Sequence, residues 1–208
     1  MRQDLTELVF VLDRSGSMGF MKDEAIGGFN AFLEEQKTLD GEANLTLVLF
    51  DHRYKVIHSG KNIQDVPNLC KETYVPSGTT ALLDAIGRTV DDVGKRLSEM
   101  PEEERPSKVL VAILTDGMEN ASKDYKKLKI NEMITHQRGK YSWEFVFLGA
   151  NQDAFSEGVA LGMLGQNTMT YDCSEEGIAD TFYSLSCATS SYRSTGKVDL
   201  KAGDDENK

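Results

Sequence analysis

The stretch LVFVLDRSGSMG, Leu8 to Gly19, decides how this chain is read. Leu8–Leu12 is an unbroken run of large apolar residues, the pattern of a strand covered on both faces. The run stops at Asp13, and hydroxyl side chains follow at alternate positions, Ser15 and Ser17. Asp and Ser are ordinary helix caps, so the stretch is open to two readings, a turn or a site. The rest of the chain has to decide between them.

Outward from this run, apolar segments of strand length alternate with amphipathic segments of helix length. A helix is predicted from Met21 to about Lys37, where Ile26, Phe29, Phe32 and Leu33 recur at helical spacing. Leu45–Phe50 is a second strand, and Asp51-His52-Arg53 turns the chain into Tyr54–Ile57 as an edge hairpin. The irregular piece Asn62–Pro76 leads through Ser77-Gly78-Thr79-Thr80 to a helix from Ala81 to about Leu97. A strand at Val109–Leu114 follows the acidic loop Pro101–Arg105. A helix at Lys126–His136, a strand at Trp143–Leu148 and a helix at Asp153–Leu161 come next. A short strand at Thr168–Tyr171 and a helix from Glu175 to about Tyr192 complete the series. This alternation implies one doubly wound α/β domain over residues 1–196, with a mostly parallel sheet, one antiparallel edge hairpin and helices on both faces. The charged residues 197–208 read as a disordered tail. In such sheets, sites form beyond the carboxyl ends of the strands where the strand order reverses, and Asp13 sits at a carboxyl end.

The composition excludes several functions. Asp and Glu number 34 against 23 Lys and Arg, a net charge of −11. That balance disfavours nucleic acid or an anionic membrane as partner, since both need clustered cations. Cys70, Cys173 and Cys187 are odd in number and widely spaced, and read as reduced structural thiols. The N-terminus lacks the apolar core of a secretion signal, and no apolar run reaches the roughly 20 residues that span a bilayer. The expected address is the cytoplasm. His52, His58 and His136 are scattered and make no triad pattern with a Ser or Cys nucleophile; His52 reads as a hairpin residue and His136 as a cation near a helix end. No dinucleotide fingerprint and no Walker A sequence occurs.

Three strand ends are rich in oxygen: Asp13-Arg14-Ser15-Gly16-Ser17, Ser77-Gly78-Thr79-Thr80 and Thr115-Asp116-Gly117. Each alone is an acceptable capping turn. Together they supply two carboxylates and several hydroxyls without Cys or His, a hard-oxygen set suited to Mg²⁺ or Mn²⁺ rather than Zn²⁺ or Cu²⁺. The hydroxyls of Ser15, Ser17 and Thr80 would bind the ion directly, and Asp13 and Asp116 directly or through water. Two carboxylates only balance the ion's charge, which leaves room for a carboxylate from outside.

The segments DRSGSM (Asp13–Met18), SGTTALLDAI (Ser77–Ile86) and ILTDGMENAS (Ile113–Ser122) resemble the three segments of a von Willebrand factor type A (VWA) domain. That family's metal-ion-dependent adhesion site (MIDAS) has Asp-x-Ser-x-Ser, then a Thr, then an Asp. The resemblance implies metal ligation by Asp13, Ser15, Ser17, a threonine and Asp116. Bacterial members with Gly-Gly-Thr-Ala-Leu align the threonine with Thr80 and put Thr79 in place of a glycine; Thr79 is the alternative ligand. FLGANQDAF (Phe147–Phe155) is similar to a segment of compact bacterial and phage members, and the resemblance extends from about Leu5 to Tyr192. Arg14 beside the site is open to two readings, a charge that tunes the ligand set or a solvated side chain, and the second is preferred. Glu119 and Asn120 read as surface polarity at its rim. Asn151 borders the crevice, Asp153 caps the next helix, and Met18 and Met21 read as core packing beneath the site.

By this resemblance the chain is a non-enzymatic module whose ion accepts an Asp or Glu carboxylate from a partner protein. Single-domain members of this kind act beside ATPases or in stress- and phage-related systems. Two other classes remain open. One is a Mg²⁺-dependent phosphoryl-transfer enzyme with Asp13 as nucleophile, similar to haloacid-dehalogenase phosphatases, although Ser15 stands where that family has its general acid. The other is an RNA-associated VWA module, which the acidic charge disfavours.

Overall fold

The structure is a computed structural model that describes residues 1–150 and 154–200. Six strands form one sheet: β1 (Arg2–Asp13), β2 (Glu42–Phe50), β3 (Tyr54–Asn62), β4 (Pro106–Thr115), β5 (Glu144–Ala150) and β6 (Thr168–Tyr171). Five α-helices join them: α1 (Lys22–Thr38), α2 (Leu82–Glu99), α3 (Lys127–Tyr141), α4 (Ala154–Ala160) and α5 (Glu175–Thr195). The strand order is β3-β2-β1-β4-β5-β6. Every neighbouring pair is parallel except β2–β3, the edge hairpin. The doubly wound architecture expected from the sequence is therefore present.

Alternation along β1 divides the core in two, because successive side chains of a strand point to opposite faces. Leu8, Phe10 and Leu12 join the core under α1 and α5. There Phe10 meets Phe29 edge-on at 5.3 Å and Phe32 at 5.4 Å, and stacks on Phe182 at 6.0 Å. Val9 and Val11 join the opposite core, where α2 lays Leu82, Ile86, Val90, Val93 and Leu97 along the sheet beside Ile130 and Ile134 of α3. One charge interrupts this pattern: Glu7 is fully buried and is answered by Arg96 of α2 at 2.6 Å and the Thr46 hydroxyl at 2.8 Å.

The elements outrun their apolar signals where polar groups tie them down. β1 begins at Arg2 because its guanidinium bridges Asp4 and Glu42 and its N–H donates to the Arg105 carbonyl. β3 continues past the apolar stretch, over His58–Asn62, as a polar edge strand. α3 persists to Tyr141 and ends at Ser142 in the left-handed conformation (φ 55°). Val198 and Leu200 pack on the first core, so the packed chain extends beyond residue 196; residues 201–208 of the expected tail lie outside the described residues. Among the described residues no disulfide forms; Cys70 and Cys173 are exposed and Cys187 only half-buried, so the three cysteines are not buried structural thiols. Among the described residues no helix is long and apolar enough to cross a membrane.

Candidate metal site

The strand order reverses between β1 and β4, and the loops leaving their carboxyl ends meet the loop before α2 at that point. Asp13 is the last residue of β1 and has no solvent exposure. Its Oδ1 accepts the Ser15 N–H at 2.6 Å, and its Oδ2 accepts the Thr115 hydroxyl at 2.6 Å. Ser15 and Ser17 bring their hydroxyls within 3.1 Å of each other, and Ser17 Oγ donates to Asp116 Oδ1 at 2.8 Å. One hydrogen-bonded oxygen chain thus joins residues separated by a hundred positions in sequence.

Backbone hydrogen bonds stitch the second loop to the first. The Gly16 N–H donates to the Gly78 carbonyl at 3.0 Å and the Ser77 N–H to the Arg14 carbonyl at 2.8 Å. Gly78 holds φ +73°, and a Cβ there would lie 2.2 Å from His52 Nδ1, so the loop requires glycine. Beyond it Thr79 is exposed and Thr80 is buried. The Thr80 N–H donates to Asn120 Oδ1 at 3.0 Å, and the Thr80 carbonyl accepts the N–H groups of Asn120 and Ala121. Thr80 Oγ1 lies so close to Gly117 that a Cβ at 117 would stand 3.0 Å from it, with Ser17 Oγ 3.8 Å away. The structure therefore brings Asp13, Ser15, Ser17, Thr80 and Asp116 into one cluster, while Thr79 is exposed.

The residues expected at the rim do other work. Arg14 is only 7% exposed and is not solvated; its guanidinium turns to the Asp51 carboxylate at 3.3 Å. Burial raises the Asp51 pKa, but hydrogen bonds from Arg53 and the charges of Arg14 and Arg53 outweigh it and hold the carboxyl below its ordinary range. Glu119 is not mere surface polarity. Its carboxylate accepts the N–H groups of Leu83, Ala121 and Ser122 and the Ser122 hydroxyl. Asp84, in the first turn of α2, accepts the N–H groups of Lys123, Asp124 and Tyr125. The start of α2 and the loop after β4 thus cap each other, which fixes Thr80 against Asp116. Asn120 shares this task through Thr80. Asn151 and Asp153 lie outside the described residues. Met18 and Met21 are buried in the core under α1 and α5.

Sequence reasoning missed three supports. Asp51 follows an apolar strand just as Asp13 does, a signal that the hairpin reading of Asp51–Arg53 obscured. Tyr74 is fully buried and donates its hydroxyl to the Asp13 carbonyl at 2.6 Å. Tyr171 donates to the Thr115 carbonyl at 3.3 Å, and Thr115 itself holds Asp13. Neither tyrosine carries a local signal of its role.

The electrostatics of the cluster fit a divalent cation. Burial pushes the Asp13 carboxyl up to about 7; the Asp116 charge adds to this, and hydrogen bonds from Thr115 and Ser15 oppose it. Burial also raises Asp116, against the Ser17 hydrogen bond. The nearest basic residue in sequence, Arg14, is committed to Asp51. Two carboxylates therefore share a desolvated cluster that an ion of charge +2 would balance. Among the described residues no group of three or more His, Cys, Asp or Glu side chains is placed to hold a metal. An ion here would be held by these two carboxylates and the hydroxyls of Ser15, Ser17 and Thr80.

Neither protein-family models nor the sequences of curated proteins give a match to this chain. Solved structures do. Proximal thread matrix protein 1 from the mussel byssus matches with a TM-score of 0.58 at 18% identity, covering 88% of this chain and 45% of that one. A further structure of that protein has a zinc-occupied MIDAS motif. A von Willebrand factor type A protein from Catenulispora acidiphila matches at 0.59 and 15% identity, over 89% of this chain and 42% of that one. The manganese-loaded TRAP protein of Plasmodium vivax matches at 0.57 and 18% identity, over 86% and 72%. The chain spans less than half the length of the first two proteins. With the strand order, the reversal point and these likenesses together, the chain has the fold of a von Willebrand factor type A domain.

Proposed function

We propose that this domain is a divalent-cation-dependent protein-binding module, in which a Mg²⁺ or Mn²⁺ ion held by Asp13, Ser15, Ser17, Thr80 and Asp116 accepts an Asp or Glu carboxylate from a partner. The observation that carries the proposal is the convergence of three loops on one oxygen cluster, with Ser17 Oγ 2.8 Å from Asp116 Oδ1 and both Thr80 Oγ1 and Ser17 Oγ within 4 Å of where a Cβ on the adjoining Gly117 would stand. Bound there, the ion would supply a Lewis-acidic, positively charged point on an acidic protein. The residues of the chain set its position and only balance its charge, and neutral hydroxyls complete their share of the shell, so a further carboxylate would replace a water on the ion. The zinc- and manganese-bearing structures of the same fold support the cation.

The rim favours a protein over a small ester. Each ligand-bearing loop also carries an exposed apolar side chain: Phe20 at 95%, Val75 at 46% and Met118 at 75% exposure. Large apolar groups left in water around a polar centre are a mark of protein interfaces. We therefore expect the partner's acidic residue to be flanked by apolar ones. The phosphoryl-transfer reading loses ground to the position of Asp13, which is buried with both oxygens already accepting hydrogen bonds. Three cysteines without a disulfide, two of them exposed, suit a reducing compartment, and we place the protein in the cytoplasm. An ATPase-associated or a phage- or stress-system protein is the class of partner in view.

An array of immobilised peptides with a central Asp or Glu tests this reading. Retention of the protein with Mn²⁺, its release by EDTA and its absence in Ser15→Ala are the expected results. Phe20→Ser and Met118→Ser should weaken retention about tenfold. Retention indifferent to EDTA, or turnover of a phosphate ester that disappears in Asp13→Asn, would overturn it.

A further inference from the structure

At the opposite end of the sheet from the metal cluster, a cavity of about 440 Å³ opens between the carboxyl ends of α2 and α3, over the first residues of β4. That volume lies in the range of small-molecule sites. Leu97, Val109 and Trp143 give it apolar walls. Its titratable side chains are Arg105, His136 and Lys140, with Tyr141; no Asp or Glu lines it, in a chain whose net charge is −11. Among the described residues neither Arg105 nor Lys140 enters an ion pair. Arg105 spends Nη2 on the carbonyls of Ser98 and Met100, and Lys140 rests over the Tyr141 ring at 5.2 Å.

Two buried polar atoms in this lining, Arg105 Nε and Ser107 Oγ, have no hydrogen-bond partner. A buried donor without an acceptor is uncommon and calls for an occupant. Helix ends account for a cation at each carboxyl terminus. They do not account for an aromatic-walled cavity, nor for donors without acceptors inside it.

We propose that this cavity binds a small amphipathic anion, with an aromatic body against Leu97, Val109 and Trp143 and a carboxylate received by Arg105, Ser107 and Lys140. The site is separate from the metal cluster and does not depend on it. Trp143 is the sole tryptophan of the chain, so its indole N–H gives one NMR cross-peak that reports occupancy.

The test is a titration of the full chain with 2-naphthoate, with 2-naphthamide and a naphthylmethylammonium salt as neutral and cationic probes of the same body. The naphthoate should shift the Trp143 peak saturably, with a Kd at least about tenfold lower than that of the amide, as loss of a charge-assisted hydrogen bond implies. Lys140→Gln, at an exposed position, should weaken the naphthoate alone by a similar factor, and Arg105→Gln by more. EDTA and Asp116→Asn should leave the affinity unchanged. No saturable shift at millimolar naphthoate, equal affinity for the amide, or preference for the cation would each overturn the proposal.

Discussion

The pair Arg14–Asp51 offers the sharpest test of how the site is supported. Arg14 lies between two proposed ligands in sequence, yet its guanidinium serves the Asp51 carboxylate, which has no solvent exposure. Asp51→Ala removes the acceptor for Arg14, Arg53 and the Ser77 hydroxyl at once and leaves the Arg14 charge buried without a counter-charge. Breaking a buried pair from one side costs about 3–5 kcal/mol. Arg14→Ala costs less, about 1–2 kcal/mol, because Asp51 keeps Arg53 and Ser77 and its carboxylate stays answered. In the double variant Arg14 is no longer a stranded charge, so its loss adds nothing to the loss of Asp51. The double variant should be no less stable than Asp51→Ala, a coupling of about 1–2 kcal/mol. Urea denaturation of all four proteins in EDTA measures this cycle without a contribution from metal. Additive single effects, or an Asp51→Ala cost below about 1 kcal/mol, would refute the assignment of Arg14 to Asp51 and return it to the metal site.

Three further outcomes follow from the geometry. Gly117→Ala places a Cβ 3.0 Å from Thr80 Oγ1, so it should displace the threonine and reduce stabilisation by Mn²⁺, measured as the Tm difference between Mn²⁺ and EDTA. Tyr74→Phe deletes the hydroxyl that meets the Asp13 carbonyl, and should cost about 1–2 kcal/mol in urea while the metal-induced Tm shift survives. In Asp84 burial raises the carboxyl, but three backbone N–H groups outweigh it and lower the pKa below the ordinary 3.8. A depressed carboxylate contributes stability that is present above the unfolded pKa and lost as pH falls through the folded one. The destabilisation of Asp84→Ala should therefore be full near about pH 5 and smaller at about pH 2. A deficit that does not shrink on acidification would show that the carboxylate charge contributes nothing.

The sequence carried the fold where packing is apolar and hid it where packing is polar. Leu8–Leu12, Leu45–Phe50 and Val109–Leu114 announce central strands because both of their faces are covered. Arg2–Asp4 and His58–Asn62 belong to strands as well, but ion pairs and edge hydrogen bonds hold them, and polar side chains give no periodic signal. The same division holds at the site. The cluster from Asp13 to Asp116 was legible because oxygen-bearing side chains recur at three strand ends. The carboxylates that fix its loops, Asp51, Asp84 and Glu119, were not legible. Arg53, Ala121 and Ser122 are local partners, but Arg14 for Asp51, the Leu83 N–H for Glu119 and the N–H groups of Lys123, Asp124 and Tyr125 for Asp84 come near only through the fold. Arg14 looked solvated for the same reason: the residue that buries it is 37 positions away, at the end of the neighbouring strand β2.

Everything proposed for the metal site depends on one ion bound by the oxygen cluster. Titration of the protein with Mn²⁺, with free ion counted by electron paramagnetic resonance, measures this without knowledge of any partner. The cluster predicts one saturable site per chain, competed by Mg²⁺, abolished by Asp116→Ala and weakened by Ser17→Ala, with Asp51→Asn altering affinity far less than either. Undiminished binding in Asp116→Ala, or no saturable binding at millimolar Mn²⁺ in the unaltered chain, would contradict it.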